Sequence, residues 1–113
     1  MTSPQAAKGA AFERLVFGYL AGQLGADVVK RPRVTTADVG DIHAGPACLE
    51  AKCYPRDLLR AIRDAVTEAP AACQHAGLSY PVGVVKRPGV TAAEDQLVVM
   101  RLETFTQLLR EAM

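Results

Sequence analysis

Two acidic residues and a lysine stand close together near the middle of the sequence. Asp41 is separated from Glu50-Ala51-Lys52 by the turn-forming segment Ala44-Gly45-Pro46, so the flanking strands are predicted to pair as a hairpin. Two carboxylates about 4 Å apart repel by roughly 4 kcal/mol at an effective dielectric near 20, so they need a proton, a lysine or a cation between them. Ligands that are all oxygen favour magnesium or manganese over zinc or copper. The pattern therefore predicts a magnesium site.

The alternative interpretation is a surface hairpin without chemistry. Glu50 and Lys52 would then be a same-face pair that stabilises the strand by less than about 1 kcal/mol. Two features of the setting favour a site. The acids lie within apolar strands, where charges are usually disfavoured. Glu13 shares a helical stripe with Val16 and Leu20, so its carboxylate is predicted to face the protein.

The apolar periodicity predicts the elements that must position these side chains. They are a helix from Ser3-Pro4 to Gly25, strands over 27–31, 39–43 and 47–53, a helix over 56–69, strands over 81–86 and 97–102, and a helix over 104–112. Asp41 falls at or near the middle of its strand. Pro70 is expected to kink or restart the second helix, which Gly77 ends. That helix is predicted to be amphipathic, with its apolar side formed by Leu58, Leu59, Ile62 and Val66.

Length predicts a single domain over residues 1–113, and the periodicity predicts an α/β chain with elements in the order αβββαββα. The chain is 50% hydrophobic and 22% charged, as in ordinary globular proteins. No apolar stretch is long enough for a membrane span and no signal peptide is evident, so we expect a cytoplasmic protein without a membrane partner.

The net charge of +1 does not by itself indicate a nucleic-acid-binding protein. Any interaction with DNA must depend on local clusters such as Lys30-Arg31-Pro32-Arg33 and Lys86-Arg87. The three cysteines, Cys48, Cys53 and Cys73, lack a zinc-finger histidine spacing and are interpreted as reduced thiols without chemistry.

Several segments together resemble the restriction-endonuclease-like nuclease superfamily. Gly40-Asp41-Ile42 followed by Leu49-Glu50-Ala51-Lys52 is similar to the paired motifs of that superfamily, with glycine in place of the commoner proline before the aspartate. The opening Lys8-Gly9-Ala10-Ala11-Phe12-Glu13-Arg14 resembles that of the archaeal Holliday-junction resolvases. The segment 81–86 is similar to the next core strand of that family.

The resemblance implies a restriction-endonuclease-like fold, in which a mixed five-stranded sheet with an αβββαβ core is flanked by helices. It also implies a set of ligands for magnesium, which manganese could replace. Asp41, Glu50 and the backbone carbonyl of Ala51 would bind the metal, and Glu13 would complete its shell. Lys52 would orient or deprotonate the attacking water, or steady the charge that grows on the phosphate. The six basic residues expected to contact phosphates are Lys8, Arg14, Lys30, Arg31, Arg33 and Lys86.

The expected function is a structure-selective DNA endonuclease that resolves Holliday junctions. Cutting both arms of a two-fold symmetric junction requires two active sites, so a homodimer is expected. The alternatives are another magnesium nuclease that nicks DNA or cuts flaps, and a non-catalytic DNA-binding module of the same fold. A small-molecule enzyme is disfavoured, because the sequence carries no glycine-rich phosphate loop and no nucleophile triad.

Overall fold

Three α-helices and a five-stranded mixed sheet make up residues 3–113, which this computed structural model describes. The elements follow the predicted order: α1 Pro4–Leu24, β1 Val29–Lys30, β2 Ile42–Ala44, β3 Ala47–Lys52, α2 Leu58–Ala76, β4 Tyr80–Val85, β5 Leu97–Val99 and α3 Leu102–Ala112. A short 3-10 helix, Ala93–Asp95, precedes β5. None of the helices within residues 3–113 is both long enough and apolar enough to cross a bilayer.

The strands lie side by side in sequence order, with β3 at the centre of the sheet. β1, β2 and β3 are antiparallel, β4 is parallel to β3, and β5 is antiparallel to β4. In this register Ile42 of β2 is paired with Leu49 of β3, and Glu50 of β3 is paired with Gly83 of β4. The parallel pair requires a crossover connection, and α2 supplies it.

The alternation of side chains along β3 divides the core between α1 and α2. Leu49 belongs to the cluster that contains Phe12 and Val16 of α1. Cys48 points to the opposite face and packs against Ala72 and Cys73 of α2. Because Glu50 and Lys52 share the orientation of Cys48, they lie on the face that α2 covers.

The predicted buried side of α2 was wrong in part. The buried residues of this helix that pack on the sheet are small ones: Ala61, Ala65, Ala69, Ala72 and Cys73. Leu59 is 79% exposed, whereas Leu58, Ile62 and Val66 are half-buried. Small side chains let the helix approach closely at Gly83, where an added Cβ would lie 2.6 Å from the Ala65 Cβ and 2.7 Å from a Val99 methyl.

Pro70 does not restart α2, because one continuous helix runs from Leu58 to Ala76 with the proline inside it. A proline inside a helix removes one backbone hydrogen bond, a cost that packing on the sheet can offset. The helix ends as predicted at Gly77, whose φ of +70° suits glycine. It begins at Leu58 and not at Arg56, since Asp57 is the N-cap and accepts a hydrogen bond from the Arg60 backbone at 3.1 Å.

The first helix agrees closely with its prediction, and several strands are shorter than predicted. Ser3 caps α1 by accepting a hydrogen bond from the Ala6 backbone at 3.1 Å. β1 has two residues. β5 ends at Val99, and α3 begins at Leu102, before the predicted start of that helix. The most consequential change concerns Asp41, which lies just before β2 and not in the middle of a strand.

Candidate metal centre

Glu50 is a buried acid on the central strand. Its side chain is 3% exposed, and its Oε1 atom has no hydrogen-bond partner within residues 3–113. Burial raises the pKa of Glu50 to about 8, and the neighbouring carboxylates of Asp38 and Asp41 contribute to the rise. A buried polar oxygen without a partner is costly in a native protein. This oxygen is therefore suited to receive a ligand.

Two further acids converge on Glu50. One carboxylate oxygen each from Asp38, Glu50 and Glu68 lies within 4.8 Å of the other two, and they are the only such group of metal-ligating side chains in residues 3–113. Asp38 belongs to the loop before β2, and Glu68 lies on α2. The three acids form a cluster that is able to hold a metal ion. We call Asp38, Glu50 and Glu68 the acid cluster.

The loop that carries Asp38 is held by hydrogen bonds from α2 and β3. The Nδ1 of His75, near the end of α2, lies 2.8 Å from the Asp38 carbonyl oxygen, and the Cys48 thiol donates to the Val39 carbonyl at 3.2 Å. Within the loop, the Asp38 carboxylate accepts a hydrogen bond from the Gly40 amide at 2.9 Å. Asp38 is thus held over Glu50 while remaining exposed at the rim.

Gly40 permits the chain to turn into β2 against the sheet. Its φ is +86°, and an added Cβ would lie 2.5 Å from the Cys48 Sγ and 3.2 Å from the Leu49 carbonyl oxygen. Proline has φ fixed near −65° and cannot adopt this conformation. The glycine that departs from the superfamily's commoner proline is therefore required by the path of this chain.

Asp41 lies beside the backbone of β3. Its amide donates to the Leu49 carbonyl at 2.9 Å, and its Oδ2 accepts a hydrogen bond from the Ala51 amide at 2.8 Å. Burial raises the pKa of Asp41; the Ala51 hydrogen bond opposes this rise and the Glu13 carboxylate adds to it. Asp41 is near enough to Glu50 for their charges to interact, but it is not a member of the acid cluster.

Lys52 makes an ion pair with the acid cluster. Its Nζ lies 2.8 Å from Glu68 Oε1, and the lysine side chain is 18% exposed. Burial is the largest single influence and would lower the pKa of Lys52, but the hydrogen bond and charge of Glu68, together with the charges of Tyr54 and Glu50, raise the pKa above its ordinary value. Lys52 is therefore held as an ammonium ion at neutral pH.

Glu13 is paired with Arg31 across the surface between α1 and the segment after β1. Arg31 Nη2 lies 2.7 Å from Glu13 Oε1, and the guanidinium sits 5.8 Å from the centre of the Phe17 ring. Both residues line an open cleft of ≈ 550 Å³ that Asp38 and Asp41 also line. The structure thus brings Glu13 to the same cleft as Asp41, but not into the acid cluster.

The predicted phosphate-contacting residues are distributed around this region. Arg33 lines the same cleft, whereas Lys8 lines a neighbouring groove that also contains Lys52. Lys86 donates to the backbone carbonyls of Arg87 and Val90, so its ammonium is engaged in the turn after β4. Arg14 and Lys30 are exposed on α1 and β1.

The sequence prediction missed two members of the acid cluster. Glu68 interrupts the small-residue stripe of α2, because it shares a helical face with Ala61, Ala65 and Ala72. An acid on the sheet-facing side of a helix was the signal available in the sequence. Asp38 gave no comparable signal, since only the folded loop places it over Glu50.

The cysteines are consistent with structural thiols. All three are free; Cys48 and Cys73 are buried, and Cys53 is half-buried. Burial raises the pKa of the Cys48 thiol to about 12, which keeps it protonated and unreactive at neutral pH.

Comparisons with protein-family models, with curated proteins and with solved structures give no match to this chain. The functional interpretation therefore depends on the chain's own residues.

Proposed function

We propose that this protein is a magnesium-dependent, structure-selective DNA endonuclease that resolves four-way (Holliday) junctions by phosphodiester hydrolysis. The proposal depends chiefly on Glu50, a buried carboxylate whose Oε1 lacks a partner within residues 3–113. Lys52 lies on the same face of β3, and Asp41 lies beside that strand. Two acids and a lysine so arranged are suited to binding a hard cation next to a phosphate.

The arrangement of the elements supports the same proposal. Three antiparallel strands are followed by a crossover helix and by β4, which is parallel to β3. This order is similar to the αβββαβ core of the restriction-endonuclease-like nucleases that the motifs resemble. Asp41 precedes β2, and Glu50 and Lys52 lie on β3, so the motif residues meet at one region of the sheet.

The residues proposed to hold magnesium or manganese are Asp41, Glu50 and the backbone carbonyl of Ala51, with Glu13 completing the shell. The unpartnered Oε1 of Glu50 fits this role, and the hydrogen bond from the Ala51 amide already holds Asp41 against the same peptide segment. A bound magnesium ion would lower the pKa of its water and neutralise charge on the phosphoryl oxygens.

The raised pKa of Lys52 favours one of its possible roles. An ammonium ion has no free electron pair, so the raised pKa disfavours Lys52 as the base that deprotonates water at neutral pH. It can donate a hydrogen bond and stabilise the negative charge that grows on the phosphate. Glu68 holds the lysine in place through the 2.8 Å ion pair.

The DNA is proposed to be bound through its phosphates. Arg31 and Arg33 line the cleft that contains Glu13 and Asp41, so positive charges flank the proposed metal ligands. Lys8, Arg14, Lys30 and Lys86 complete the set of proposed phosphate contacts. Such contacts provide affinity without reading sequence. A symmetric junction would be cut by a homodimer, with one site on each arm.

Cleavage of three end-labelled substrates in magnesium tests this proposal. A four-way junction, a flap and a matched linear duplex are incubated with the parent protein and with Lys52→Ala. We expect cleavage of the junction alone, and binding without cleavage by Lys52→Ala. Preference for the flap or duplex would identify a different magnesium nuclease. Junction binding without cleavage by the parent protein would identify a non-catalytic module.

A further inference from the structure

We propose that the acid cluster of Asp38, Glu50 and Glu68 is a second site for a divalent cation, with Glu50 shared between it and the Asp41 site. One oxygen from each of the three side chains lies within 4.8 Å of the others. The Asp41 site, which holds the first cation, rests on the proposed function. The second site does not, because the acid cluster is defined by its own geometry. Magnesium and manganese are the cations that the all-oxygen donor set favours.

The separation of the oxygens fits a single coordination shell. Magnesium binds oxygen at about 2.0–2.1 Å and the larger calcium ion at about 2.3–2.6 Å, so two ligands on opposite sides of one ion are roughly 4–5 Å apart, with magnesium at the lower end. The limit of 4.8 Å therefore allows all three carboxylates to reach a common ion. The ligands come from a loop, a strand and a helix, so the folded structure and not a local sequence run creates the site.

The burial of Glu50 distinguishes this cluster from a chance group of surface acids. Its side chain is 3% exposed, and Oε1 has no hydrogen-bond partner within residues 3–113. Lys52 contacts Glu68 at 2.8 Å and makes no ion pair with Glu50 within those residues. The Glu50 and Asp38 carboxyl groups are close enough to share a hydrogen bond, whereas Oε1 of Glu50 has no partner. A cation at this position would satisfy the Glu50 Oε1 atom, which has no partner within residues 3–113.

The cluster is also accessible and held in place. Asp38 is exposed at the rim, so a cation can enter from solvent. His75 holds the Asp38 backbone at 2.8 Å, and the Gly40 amide holds its carboxylate at 2.9 Å. A cation bound there would lie beside Lys52, and two cations that share a carboxylate can stabilise both the attacking and the leaving oxygen of a phosphate.

Counting bound manganese ions without DNA tests the inference. Calorimetric titration, checked by the electron paramagnetic resonance signal of free manganese, is applied to the full chain and to Asp38→Asn, Glu68→Gln, Asp41→Asn and the exposed control Glu94→Gln. Circular dichroism confirms that each variant is folded. We expect two ions for the parent and for Glu94→Gln, and one ion for each of the other three variants.

The outcomes separate this inference from the proposed function. One ion in the parent protein, lost in Asp38→Asn and Glu68→Gln but kept in Asp41→Asn, would support the acid cluster and contradict the first site. Manganese binding that is unchanged in number and affinity in both folded cluster variants would overturn the second site, whatever the protein does to DNA.

Discussion

Glu50 links the stability of the fold to pH and, under the proposed function, to bound cations. Its pKa rises from 4.5 to about 8 in the folded protein, chiefly because of burial. Between those values the folded chain keeps a proton that the unfolded chain has released, so raising the pH should destabilise the fold. The protonated acid is tolerated in the sheet, whereas the charged acid requires a cation.

Thermal unfolding in EDTA between pH 5 and pH 9 measures this effect. We predict that the melting temperature of the parent protein falls as the pH rises toward 8. Glu50→Gln should remove most of that fall, and Glu94→Gln should retain it. Added magnesium should raise the parent's melting temperature most at the high end of this range, because the cation binds only the folded, charged form. A parent protein whose stability rises steadily over this range would contradict the assignment.

Glycines on α1 and β4 give a matched test of the packing between α2 and the sheet. An added methyl at Gly83 would overlap Ala65 and Val99 at 2.6 and 2.7 Å, whereas Gly18 has no atom within 4 Å of the equivalent position. We predict that Gly83→Ala lowers the free energy of unfolding by about 1–3 kcal/mol. Gly18→Ala should raise it by up to about 1 kcal/mol, since alanine favours a helix. Chemical denaturation measures both; equal effects would contradict the close approach of α2.

The turn before β2 is tested by a second pair of glycines. Gly40 and Gly45 both have positive φ, +86° and +54°, but only at Gly40 would a Cβ overlap a neighbour, Cys48 Sγ at 2.5 Å. Both alanine variants carry the backbone cost of about 1–2 kcal/mol, and Gly40→Ala should lose roughly 1–3 kcal/mol more. Urea unfolding of the two variants gives the difference. A larger loss at Gly45 would show that the loop follows another path.

The order of elements was predictable because it depends on local signals. Ser3-Pro4 starts α1, and turn residues separate the strands of the β2–β3 hairpin. The sequence also indicated that Glu50 and Lys52 share a face. It could not place Asp38 over Glu50, because His75, distant in the chain, holds that loop. The sheet-facing side of α2 was predicted only in part: Leu58 and Ile62 do pack against the cluster that contains Val85, but small residues supply the fully buried contacts and Leu59 is exposed.

The net charge of the whole molecule is only +1, so its affinity for DNA must come from basic residues that are clustered on one surface. Each phosphate contact made by a basic residue contributes about −0.9 to the slope of log affinity against log salt. Replacing Lys30 and Arg33 by glutamine should therefore reduce the magnitude of the slope for junction binding by about 2. Arg110→Gln on α3 should leave it unchanged. Fluorescence anisotropy in calcium over several salt concentrations measures the slopes; three equal slopes would contradict the proposed DNA-binding surface.

The most direct test of the central claim is single-turnover cleavage of a labelled four-way junction in magnesium by the parent, Glu50→Gln and Glu94→Gln. We predict paired symmetric nicks at similar rates for the parent and Glu94→Gln. Glu50→Gln should be slower by at least about 100-fold, because the shared metal ligand is lost. Cleavage by folded Glu50→Gln at the parental rate would contradict the account, and so would a parent protein that binds the junction and leaves it intact.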